Sequence, residues 1–186
     1  MANIFIIHGA FGKPEENWFP WLKSELEKLN HRLFIPSFPT PEGQTLGNWE
    51  NVFDEYKQYL NEESIVIGHS LGPAFLLNII QQLDKPIKAA FFISGFISLL
   101  GDEVFDSINK TFINKEFKWD KIHKNCRQFY IYHSDDDPYV PIIYANELAD
   151  KLNESIKLIK NAGHFNEKSG YKKFGLLLED INNLTA

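Results

Sequence analysis

A chain of 186 residues, 44% hydrophobic and 24% charged, has the make-up of one folded domain over residues 1–186 that buries roughly 70% of its unfolded surface. A net charge of −6 argues against nucleic acid or an anionic membrane as partner, and the apolar run Ile4–Ile7 is too short for a signal-peptide core or a membrane span. The single cysteine, Cys126, excludes an internal disulfide and suits the reducing cytoplasm.

In chain order, a first strand is expected at Asn3–Ile7, followed by the glycine-containing loop His8–Gly12. Trp18, Trp21, Leu22, Leu26 and Leu29 recur at helical spacing, with Asn17 as candidate N-cap. A short strand at Leu33–Pro36 leads into Ser37–Gly47, which reads as a loop on Pro39, Pro41 and Gly43. Trp49, Val52, Phe53, Tyr56 and Leu60 form a second helical stripe. Strands are then expected at Ser64–Ile67 and Ile87–Ile93, with a helix over Pro73–Leu83 between them. Phe96–Asn125 has no clear strand and is expected to hold one or two helices, placed where a small lid could sit. Strands at Gln128–His133 and Ile156–Ile159 flank a helix begun after Pro141. Tyr171, Phe174, Leu177, Leu178, Ile181 and Leu184 mark a C-terminal helix. Most of these strands are continuously apolar, as in a parallel sheet covered on both faces. The expected fold is α/β: a mainly parallel sheet of about six strands, helices on both faces and no large cap domain.

Chemistry is suggested first by Gly68-His69-Ser70-Leu71-Gly72, a G-x-S-x-G run between a predicted strand and a predicted helix. A sharp turn there strains Ser70 and lifts its hydroxyl out at the strand's carboxyl end. Serine needs a base to remove its proton, and the base needs an acid to orient it. Two later strands also end in suitable residues: Ser134-Asp135-Asp136-Asp137-Pro138 and Asn161-Ala162-Gly163-His164-Phe165. Both loops should fall on the sheet edge that carries Ser70. Of the three aspartates Asp137 is favoured, because Pro138 fixes its turn; Asp135 and Asp136 read as a solvated turn. A metal site in this triplet is disfavoured, since no second cluster sits at ligand spacing.

His164 is the best placed base of the six histidines, and activity should then rise with pH as it loses its proton. His69 and His8 read as packing or structural residues. Oxyanion donors are expected from the backbone N–H of Leu71 and of Ala10, with Phe11 less favoured. Phe11, Phe96, Tyr139 and Phe165, with Trp18 and Trp119, are candidate pocket walls. No dinucleotide or phosphate-binding glycine loop is present, so no cofactor is expected.

His8-Gly9, the Ser70 pentapeptide, Phe117–Ile122, Ser134–Pro141 and Gly163-His164-Phe165 together resemble the α/β-hydrolase superfamily, and within it the small serine hydrolases related to retinoblastoma-binding protein 9. The resemblance spans nearly the whole chain. It implies a Ser70–Asp137–His164 triad, a compact sheet and a cytosolic hydrolase; the residues themselves point to a small-molecule acyl substrate, an ester, thioester or activated amide. An L-x-C-x-E motif is absent around Cys126, so pocket-protein binding is not implied. The competing expectation is a binding or scaffold protein that keeps the hydrolase architecture with little turnover.

Overall fold

The computed structural model describes residues 1–185. Its six strands, β1 (Asn3–Ile7), β2 (Arg32–Phe34), β3 (Ile65–His69), β4 (Ala89–Ile93), β5 (Phe129–Ser134) and β6 (Ile156–Ile159), form one sheet in the order β2-β1-β3-β4-β5-β6. All five pairings are parallel. Seven α-helices connect the strands among the described residues: α1 (Phe19–Lys28), α2 (Leu46–Lys57), α3 (Gly72–Ile80), α4 (Glu103–Ile113), α5 (Trp119–Asn125), α6 (Ile142–Leu152) and α7 (Gly175–Thr185).

Alternation along each strand builds two apolar layers. On one face, Ile4, Ile6, Ile65, Ile67, Phe91 and Ile93 meet Phe19, Leu22 and Leu26 of α1 and Leu177 and Ile181 of α7. On the other, Phe5, Ile7, Val66 and Phe92 meet the remaining helices through Trp49, Phe53, Phe75, Phe112, Ile122 and Leu148. Burial on both faces explains why the strands read as unbroken apolar runs. Helix α3 is buried along its whole length, so its sequence carries no polar stripe.

Several boundaries differ from expectation. The second strand covers Arg32–Phe34 and stops before Pro36, which has no N–H for a ladder. Helix α1 begins at Phe19 after Trp18. Asn17 does not cap it; its backbone is left-handed (φ +57°) and its Oδ1 accepts the Glu167 N–H at 2.9 Å. Tyr171 and Phe174 precede α7 instead of lying on it, and they pack with Phe165 through ring contacts of 4.9 to 5.3 Å. The 96–125 segment holds α4 and α5.

The strand order sets where a ligand can sit. From β1 the chain steps to β2 on one side, then returns to β3 on the other. The loops leaving β1 and β3 therefore diverge across a crevice at the carboxyl edge, the place where open α/β sheets bind ligands. Helix α3 anchors this arrangement through Phe75, which contacts the rings of Phe38, Trp49, Phe53 and Phe112. Phe75→Ala is expected to cost about 3–5 kcal/mol, seen as a lower urea midpoint with an unchanged denaturant slope.

Candidate active site

Ser70 follows β3 directly and has φ +60°, a region that non-glycine residues seldom enter. The turn is held from both sides. Ser70 N–H donates to Ile93 O at 2.9 Å. A Cβ on Gly68 would lie 2.5 Å from Pro73 N, and one on Gly72 would lie 2.5 Å from Ile7 O. The chain can bend this sharply only with glycine two residues either side of the serine. Ser70 stays half-buried, facing a cavity of about 740 Å³.

The loop after β1 closes one flank of that cavity. A Cβ on Gly9 would lie 2.6 Å from Ser70 Cβ, so glycine there lets the loop backbone approach the serine. Phe11 N–H is already committed to Thr40 Oγ1 at 2.7 Å, which leaves Ala10 as the better candidate donor toward the cavity. Thr40 bonds in turn to Gln44, and Gln44 Nε2 donates to Asn109 Oδ1 of α4 at 2.7 Å. The loop beside Ser70 is thus tied to the helix above it.

The acid and base candidates meet. His164 Nδ1 lies 2.8 Å from Asp137 Oδ2 and 3.0 Å from Oδ1, so Nδ1 carries the proton and Nε2 is left as the basic nitrogen. Asp137 Oδ1 also accepts the N–H groups of Tyr139 (2.9 Å) and Val140 (3.0 Å), and Ser94 Oγ donates to Oδ2 at 2.7 Å. Burial pushes the Asp137 carboxyl up, but the hydrogen bond and charge of His164, with Ser94 and Val140, outweigh it and hold it below its usual range. Asp137 is therefore a carboxylate at neutral pH, able to orient the imidazole and balance its charge. Ser70 and His164 line the same cavity, without a hydrogen bond between them among the described residues. Such bonds are often long before substrate arrives.

Three further imidazoles surround these groups, each bonded to the main chain of a different loop. His8 Nε2 accepts the Phe38 N–H at 3.1 Å, so its Nδ1 is protonated and donates to Gly9 O at 2.8 Å. His69 Nε2 donates to His164 O at 2.7 Å, with the two rings 4.8 Å apart. His133 Nε2 donates to Val140 O at 2.8 Å. Burial lowers all three, and burial together with the repulsion of a charge at His164 takes His69 down to about 3. They are neutral props.

Helix α4 and the residues before it form the roof through Leu100, Phe105 and Asn109. Phe105 contacts Phe11 (6.0 Å, edge-on) and Tyr139 (6.4 Å), and Tyr139 lies edge-on to His164 at 5.1 Å. These rings make an aromatic arch across the site. The opposite mouth is polar, with Lys13, Glu15, Glu16, Asn166, Glu167 and Lys168.

A sequence model of the serine hydrolase family matches residues 4–182. The chain belongs to the serine hydrolase family. It is 27% identical over 184 residues to YdeN of Bacillus subtilis strain 168, covering 97% of this chain and 95% of that one. It is likewise 27% identical over 149 residues to the serine hydrolase RBBP9 of Rattus norvegicus, covering 80% and 77%. The crystal structure of the B. subtilis ydeN gene product matches with a TM-score of 0.92 at 24% identity, over 100% of this chain and 99% of that one. Mouse α/β-hydrolase domain-containing protein 10 matches at 0.73 and 14% identity, over 98% and 89%. The fold is that of an α/β-hydrolase.

Within this hydrolase the cavity lining includes Ser70, His164, Ala10, Phe11, Phe96 and Tyr139. Phe165 does not line the cavity: its ring is fully buried between Phe174 and Tyr171, and its carbonyl accepts Trp18 Nε1–H at 3.0 Å. Trp18 is likewise core, and Trp119 packs beside Phe117 away from the cavity. Asp135 and Asp136 are not merely solvated, since both accept backbone N–H groups from the histidine loop. Cys126 is buried with its thiol pushed up to about 12, so it is no rival nucleophile. Ser94 and Phe105 escaped the sequence reading. Ser94 had one available signal, a polar residue directly after a strand on the same edge.

The depressed histidines bear on stability. Each is neutral when folded and binds a proton near 6.5 when unfolded, so its stabilising share is complete above pH 6.5 and shrinks as pH falls toward the folded value. For His69 alone the loss at pH 5 is about 2 kcal/mol. The melting temperature is expected to fall between pH 7 and 5, and less steeply in His69→Gln.

Proposed function

We propose that this serine hydrolase cleaves a small ester, thioester or activated amide through an acyl-enzyme on Ser70. Ser70 Oγ attacks the carbonyl carbon as its proton passes to His164 Nε2. Asp137 holds the Nδ1–H and balances the imidazolium. The carbonyl oxygen, now negative, is received by the N–H groups of Leu71 and Ala10. His164 then gives its proton to the leaving group, which departs as alcohol, thiol or amine. In the second half, water loses a proton to Nε2, attacks the acyl carbon and releases the acid with Ser70 restored. These steps need no cofactor.

The observation that carries the reading is the Asp137–His164 pair, 2.8 Å apart, with His164 on the wall of the cavity that the strained Ser70 also lines. The aromatic arch of Phe11, Phe105 and Tyr139 favours an apolar group on the substrate beside the scissile carbonyl. The cytoplasm is the setting we propose, on the use of a single cysteine, Cys126, which is buried. No described helix is long and apolar enough to cross a membrane.

Steady-state hydrolysis of short-chain and aryl acyl esters tests the roles. Ser70→Ala and His164→Ala should each lower kcat by roughly 10³-fold or more, and Asp137→Asn by about 10⁴, because the amide favours the wrong imidazole tautomer. Phe105→Ala should raise KM for aryl or long acyl esters more than for acetate esters, with kcat little changed.

A further inference from the structure

Strands β5 and β6 pair in parallel as far as Ser134 and Ile159, and Asp135 N–H still reaches Ile159 O at 3.4 Å. Beyond this point the two backbones part and side chains take over. Asp135 Oδ1 accepts Asn161 N–H at 2.8 Å, Ser134 Oγ accepts Ala162 N–H at 2.9 Å, and Asp136 Oδ1 accepts Gly163 N–H at 2.7 Å. Asp137 then meets His164. Four consecutive residues on one loop thus engage four consecutive residues on the other.

The engaged loop makes one backbone hydrogen bond of its own, Phe165 N–H to Ala162 O at 3.1 Å, which leaves the N–H groups of residues 161–163 to be met from outside. Asn161, Gly163 and Phe165 all have left-handed backbones, with φ of +53°, +53° and +49°, so regular ladder pairing is not open to it. Its N–H groups need acceptors that reach across from elsewhere. Ser134 Oγ also donates to Asp136 Oδ1 at 2.5 Å, which fixes a hydroxyl that could otherwise rotate away from Ala162. The three contacts hold the three residues just before His164 in register.

We propose that Ser134, Asp135 and Asp136 are positioning residues that set the His164 imidazole against Asp137, with Asp136 the decisive member. Its acceptor binds the residue next to His164 and also locks Ser134. Asp136 is exposed, so truncating it leaves the apolar layers intact. The proposal deepens the hydrolase reading and rests on its assignment of His164.

The test compares Asp136→Ala with Asp136→Asn, which keeps an amide oxygen in the accepting position. Asp136→Ala should lower kcat by about 10- to 100-fold with KM within about twofold of wild type. Asp136→Asn should stay within about threefold in both. Proton NMR of the His164 Nδ1–H, read at matched pH after melting curves confirm folding, gives an arm independent of turnover. The downfield resonance should persist in wild type and Asp136→Asn and broaden or vanish in Asp136→Ala. Unchanged kcat and an unchanged resonance in Asp136→Ala would overturn the proposal. Equal damage in Asp136→Asn would overturn it too, showing that the carboxylate charge matters and not the accepted hydrogen bond. If wild type turns over no ester, the catalytic reading fails while the resonance still decides the clamp.

Discussion

Ser70 is held at φ +60°, a backbone conformation costing roughly 1–3 kcal/mol that persists only where the surroundings enforce it. Much of the carboxyl edge can be understood as that enforcement. Gly68 and Gly72 are small so that the elbow can fold onto Pro73 and the end of β1, and Gly9 is small so that the neighbouring loop can reach the serine. Ile93 O takes the Ser70 N–H, and the next residue, Ser94, has its own left-handed backbone while bonding Asp137. Strain at Ser70 and support of Asp137 are therefore linked through the end of one central strand.

Precision elsewhere in the site comes from polar side chains bonded to main chain, since the loops there are irregular. His8, His69 and His133 each fix a different loop, and the Ser134–Asp136 run fixes the histidine loop a second time. Neutral imidazoles suit this work. Each carries one donor and one acceptor, and none brings a buried charge beside His164. The same choice makes the site sensitive to acid, because protonating any of the three places a cation in a buried, crowded edge.

The parts legible in the sequence are those with local causes. Asn3–Ile7 and Ile156–Ile159 are bounded by turn residues, and both match the observed strands. The fold class follows from alternating apolar runs and helical stripes, and the elbow from two glycines at fixed spacing. What stayed hidden depends on partners distant in sequence. Asn17 looks like a cap until Glu167, 150 residues away, claims its side chain. Phe165 looks like a wall beside a candidate base, but its left-handed backbone turns the ring into the core against Phe174. Asp135 and Asp136 look solvated because their acceptors serve a loop beginning at Asn161. Phe105 lies in a segment that reads only as one or two helices, and the placement of α4 brings it between Phe11 and Tyr139.

An elbow that presents Ser70 as an activated nucleophile should reveal itself by covalent reaction. The folded protein should be treated with a fluorophosphonate, and the adduct located by peptide mass mapping. One adduct is expected, on Ser70, formed in wild type and lost in His164→Ala. A folded wild type that stays unlabelled, or an adduct on another residue, would contradict it.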